Sequence, residues 1–177
     1  MYGTYKREVV DSANDDHGMA AAIALEAAVG AILTKTAREP MCVTRFGFCP
    51  TVTFDYDTQT TKGVLTLYKY PAGNSANKVA LATINLEDGD LAGMEYVVDV
   101  DNLVVAAESP YSGLQPKGKA DLDPMDQVAI EITTQAAGGG GIAGDFQPFF
   151  CWHNRAESEE NTAKVVNRTP STFPIKS

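Results

Sequence analysis

Between Met41 and His153 apolar and polar positions alternate in short runs separated by turn residues, the pattern of half-buried strands. Met41–Phe48 is rich in β-branched and aromatic residues; Pro50 interrupts it and Thr51–Tyr56 resumes it. Gly63–Tyr70 is the clearest strand, stopped by Pro71-Ala72-Gly73-Asn74-Ser75. Lys78–Leu86 follows and ends at the turn signal Glu87-Asp88-Gly89-Asp90, so these two runs predict a hairpin. Met94–Val100 and Leu103–Ala107 predict further strands. In Gln127–Thr134, strict alternation puts Val128, Ile130 and Ile132 inward and Ala129, Glu131 and Thr133 outward. Gln147–His153 is the last candidate strand. Strands recurring roughly every 10–15 residues with turn chemistry between them predict a mainly β chain, an antiparallel β-sandwich or jelly roll, and not a parallel α/β sheet.

The pattern changes at both ends. Met19–Leu33 is rich in alanine, and Leu25, Val29, Ile32 and Leu33 would line one face of a short N-terminal helix within Ala20–Leu33. Lys35 and Arg38 would suit its negative end, and Pro40 would bar its continuation. A strand near Ala31–Thr36, pairing with Cys42–Phe46 across Arg38-Glu39-Pro40, is the other reading, and the two are compatible in succession. Asn154–Ser177 is polar, with Glu157, Glu159 and Glu160 clustered and Pro170 and Pro174 near the end. It reads as an extended arm whose few apolar anchors suit docking on a neighbouring subunit. The expected organisation is an N-terminal arm over 1–18, a sandwich over 19–153 and a C-terminal arm over 154–177. Candidate contact residues on the arms are Tyr2, Tyr5, Lys6, Arg7, Val165, Val166, Phe173 and Ile175.

Charge narrows the function classes. The 177 residues carry 14 Lys plus Arg against 23 Asp plus Glu, a net charge of −9. Nucleic-acid affinity comes largely from cations neutralising phosphates, so nucleic acid is not an expected partner, and neither is an anionic membrane surface. An apolar fraction of 44% is enough for a sizeable core. No apolar run follows Lys6-Arg7, and Met19–Leu33, which contains Glu26, falls short of the roughly 20 residues of a spanning helix, so neither a secretory signal nor a membrane span is expected. Cys42, Cys49 and Cys151 form no CxxC and no metal-ligand spacing; they are expected to be reduced thiols in a chain folded in a cytosol.

Chemistry-bearing motifs are sparse. Asp55/Asp57, Asp88/Asp90, Asp99/Asp101 and Asp121/Asp123 each place two carboxylates on one strand face, where calcium is conceivable, yet none continues into a calcium-loop pattern. Spacing alone does not single out a catalytic carboxylate pair. His17 and His153 are the two histidines, and no serine sits in G-x-S-x-G. Gly138–Gly141, then Ile142-Ala143-Gly144, lacks the Lys-Ser/Thr of a phosphate loop and runs into Asp145; it reads as a wide, flexible connection between strands. Asn167-Arg168-Thr169 matches a glycosylation sequon, which has no meaning without a secretory route. The expectation is no catalytic residue, no metal and no cofactor.

Asp123-Pro124-Met125-Asp126-Gln127-Val128-Ala129-Ile130-Glu131-Ile132-Thr133-Thr134, the glycine-rich run through Gly144, and Pro148-Phe149-Phe150-Cys151-Trp152 together resemble the last two strands of the small β-sandwich decoration, or cement, proteins of tailed-bacteriophage heads. The resemblance extends loosely back through Leu65–Leu86 and its acidic turn. It implies a capsid-stabilising protein with no catalytic residues. Such a protein sits on the capsid exterior at junctions between major capsid protein subunits, commonly as a homotrimer, after assembly in the host cytoplasm. The alternatives are a phage head-fibre or tail structural module, and a carbohydrate- or calcium-binding β-sandwich module. A sugar binder would need several aromatics exposed in one patch.

Overall fold

The computed structural model describes residues 6–9, 22–100, 118–138 and 141–154. Its strands are β1 (Lys6–Val9), β2 (Ile23–Ala24), β3 (Gly30–Thr36), β4 (Met41–Tyr56), β5 (Gln59–Thr61), β6 (Gly63–Tyr70), β7 (Val79–Leu86), β8 (Tyr96–Asp99), β9 (Asp121–Leu122), β10 (Gln127–Thr134), β11 (Ala137–Gly138) and β12 (Ile142–Asn154). All pairings are antiparallel. One sheet has the order β1-β12-β4-β8, with β2 beside β12 and β9 beside β4; the second has the order β3-β10-β6-β7; β5 and β11 make a small ribbon.

The two sheets face each other across one core, so the fold is an antiparallel β-sandwich. Phe46, Phe48, Phe54, Phe146 and Phe150 come from β4 and β12, and Leu65, Leu67, Val128, Ile130 and Ile132 come from β6 and β10. Phe48 stacks on Phe54 at 5.7 Å and on Tyr96 at 5.2 Å, and meets Phe146 edge-on at 6.0 Å. These are geometries that aromatic quadrupoles favour. Pro50, which lacks an N–H, sits in long β4 where the register with β12 shifts between Asp145 and Phe146, one of the places a strand interior tolerates proline.

Several strands fall where alternation puts them. Gln127–Thr134 and Gly63–Tyr70 are β10 and β6, and the 63–70 and 79–86 strands pair as a hairpin. Four expectations need correction. The described residues of the alanine-rich segment hold no helix: Leu25 is buried, its N–H bonds to Gly144 O at 2.9 Å, and Val29 is 61% exposed where a helical face would bury it. Tertiary pairing here overrides alanine's propensity. β3 does not pair with β4; it joins β10 in the other sheet. Ala37 carries the chain across, its N–H on Asp126 O at 2.8 Å and its carbonyl taking Met125 N–H at 2.9 Å. β10 and β12, which the resemblance takes together as the last two strands, lie in different sheets and do not pair with each other. Finally, Ala129 and Glu131, expected outward, are buried on the far face of β10.

Candidate interaction surface

The titratable groups of the sandwich are largely committed to holding its own loops and faces. On the far side of the second sheet, Glu131 accepts hydrogen bonds from the Tyr70 hydroxyl and, at 2.7 Å, from Lys78 Nζ. Lys78 also lies 4.4 Å over the Tyr68 ring. Burial, then the bond to Glu131, pushes the Tyr70 phenol well above its ordinary value, and the same carboxylate raises Lys78. Beside them Thr66 Oγ1 lies 3.0 Å from Thr133 Oγ1 and 3.4 Å from Thr83 Oγ1. This cross-strand threonine row belongs to sheet stability.

The Asp-x-Asp pairs are occupied in a similar way. Asp88 Oδ1 accepts Tyr56 N–H at 3.0 Å, and Asp90 Oδ2 accepts Glu87 N–H at 2.9 Å. Burial raises the Asp90 carboxyl above the usual range. Asp99 pairs with Arg45 at 2.8 Å in solvent, and Asp121 Oδ2 accepts Gly118 N–H at 2.8 Å. Asp55 and Asp57 are exposed, and Asp101 lies outside the described residues. Among the described residues no three His, Cys, Asp or Glu side chains gather closely enough to hold a metal. Cys42 is buried, and Cys49 and Cys151 are half-buried. Six of the seven Phe lie in the described residues and all are buried, so they form no sugar platform.

Of the arm residues, the backbone places Lys6 opposite Trp152 and Arg7 opposite Cys151, on β1 at one edge of the first sheet. Tyr2, Tyr5, Val165, Val166, Phe173 and Ile175 lie outside the described residues, as do His17 and the Leu103–Ala107 run.

A surface that alternation did not reveal lies at the opposite edge. The 90–94 segment follows β4: Phe54 N–H bonds to Asp90 O at 3.0 Å, and Gly93 N–H to Pro50 O at 2.9 Å. Ala92 N–H bonds to Thr53 Oγ1 at 3.1 Å and Leu91 N–H to the Tyr96 hydroxyl at 2.8 Å. β8 continues the same line, with Val97 opposite Gly47. Leu91 (56% exposed), Met94 (54%) and Val97 (43%) are thereby set along one sheet edge in contact with water, with Val52 (47%) on the adjoining strand β4. Scattered apolar residues on a surface need no explanation, but a row of them along an edge strand marks a place for a partner. The signal in the sequence was Leu91-Ala92-Gly93-Met94, an apolar pair set in a turn.

No protein-family model matches the chain, and no curated protein matches it. Solved structures of infectious bursal disease virus contain chains that resemble it weakly. For the Gx strain the identity is 13% and the TM-score 0.34, covering 84% of this chain and 31% of that one. For the Gt strain they are 9% and 0.34, covering 88% and 32%. The chain spans about a third of the length of those chains. A TM-score of 0.34 establishes neither a shared fold nor a shared role.

Proposed function

We propose that this chain is a virion structural protein of the decoration type. It binds the outer surface of a phage shell at junctions between major capsid protein subunits and stabilises the shell. The observation that carries the reading is the exposed apolar row Leu91, Met94 and Val97 on an edge of an acidic chain, with exposed Val52 on the strand beside it. A folded acidic module with an exposed apolar edge is suited to repeated protein–protein contact at an exposed shell surface. The resemblance of the 123–152 strands supports the phage setting. Many copies on one lattice multiply a modest contact into tight retention. No step of this function calls for a catalytic group, a metal or a cofactor, and self-association into a homotrimer belongs to the same proposal.

The test mixes purified protein with expanded shells of the phage that encodes it and sediments them through a gradient. Saturable co-sedimentation at a fixed ratio to the major capsid protein is expected. Protein that stays at the top of the gradient with properly expanded shells contradicts the reading.

A further inference from the structure

Among the described residues β8 is the last strand at one edge of the first sheet. Val100 N–H bonds to Thr44 O at 2.7 Å, and the register Val98↔Phe46 and Tyr96↔Phe48 repeats that pairing. In an antiparallel ladder the intervening residues, Val97 and Asp99, then turn their N–H and C=O groups away from β4. Among the described residues no strand pairs with that side of β8. An edge of this kind, lined by Val97, Met94 and Leu91, accepts an extended peptide as an added strand.

The chain carries a segment that fits. Residues 161–177 contain Lys164, Arg168 and Lys176 and no acid, whereas the apolar row is flanked by exposed Asp88 and Glu95, with Asp99 paired to Arg45 beside them. In Phe173-Pro174-Ile175 the period of a strand puts both large side chains on one face and both N–H groups on one side. Pro174, which has no N–H to give, then faces the outside of the added strand, the position an edge tolerates. β12 ends at Asn154, opposite Met41. The residues from there to Phe173 span up to about 60 Å when extended, enough to reach another molecule.

We infer that residues 161–177 of one copy add as a strand along β8 of a neighbouring copy, seating Phe173 and Ile175 on the Leu91, Met94 and Val97 row. The inference rests on the assembly reading above and names the contact that builds it. A tail meeting an edge is a heterologous contact, the kind a closed ring of three like subunits requires.

The test places the photo-crosslinker benzoylphenylalanine at position 97 in full-length protein, mixes ¹⁴N- and ¹⁵N-labelled copies, irradiates without shells and maps the crosslinked peptides by mass spectrometry. The expected adduct joins position 97 to a peptide within 161–177, with mixed-isotope pairs present. A chain lacking 161–177 is expected to keep its β-sheet spectrum and sediment as a monomer. Adducts only within one copy, adducts only to other segments, no adduct, or an unchanged oligomer after truncation would each overturn the inference. Because no shell is present, these outcomes are separate from failure of shell binding.

Discussion

Asp126 Oδ2 lies 3.0 Å from Lys69 Nζ at one end of the sandwich, and this pair sits where three connections meet. The same carboxylate accepts Ala72 N–H at 2.8 Å and Asp123 N–H at 3.0 Å, while the Asp126 carbonyl accepts Ala37 N–H. Lys69 also donates to Asp121 O at 2.5 Å. Burial alone would raise the Asp126 carboxyl, but the two backbone donors and Lys69 outweigh it and hold the group below its ordinary 3.8. A lowered folded value means the contribution to stability is present above the unfolded value and is lost as pH falls through the folded one.

Asp126→Asn is therefore expected to lower unfolding stability by about 2–3 kcal/mol at neutral pH, the scale of charge-assisted hydrogen bonds to a largely buried carboxylate. The gap to the parent should narrow in acid, below the ordinary carboxylate range. Urea denaturation at neutral and acid pH checks this. A gap of equal size at both contradicts the assignment.

Tyr70→Phe removes the phenol that donates to buried Glu131 and is expected to cost about 1.5–3 kcal/mol, since it leaves the carboxylate one donor short. The phenol's folded value is raised, so its contribution is complete below the unfolded value of 10.0 and disappears as pH rises beyond it. The parent should lose stability in alkali more steeply than the variant. Parallel alkaline denaturation profiles would show that the bond is not made.

Gly47 lies where β4 meets β8, and a Cβ there would be driven onto the Tyr96 carbonyl oxygen, which is backbone and cannot swing aside. Gly47→Ala is expected to cost roughly 1–3 kcal/mol and to raise hydrogen exchange in 96–99 before the rest of the first sheet. Exchange unchanged in β8 would mean the strand is not held this way.

The fold was legible where one face of a strand alone meets the core. Val128, Ile130 and Ile132, or Leu65 and Leu67, carry their facing in their period, and the turns at 71–75 and 87–90 punctuate them. Pairing partners were less legible, because Ala31–Thr36 suits β4 and β10 equally and only the crossover at Ala37 decides between them. The Met19–Leu33 run misled because alanine favours a helix in isolation, while Leu25 is claimed by Gly144 from a distant strand. Glu131 read as solvent-facing because no local pattern announces that Lys78 and Tyr70 will cover it. The apolar edge escaped because Leu91, Met94 and Val97 recur every third residue, which is not the period of a strand, and only their pairing along β4 aligns them.

Deletion of residues 155–177 leaves β12 its pairing through Asn154 with Met41, so the core should fold with a similar melting temperature. Retention on expanded shells should fall about tenfold or more as contacts multiplied over the lattice are lost. Equal retention, or failure to fold, contradicts the role given to the arm.

Quantitative mass spectrometry of purified virions, counting this chain against the major capsid protein, decides whether the chain is a component of the shell. A ratio near one to one, or a simple fraction set by lattice symmetry, is expected. Absence of the chain, or a handful of copies per particle, would contradict it.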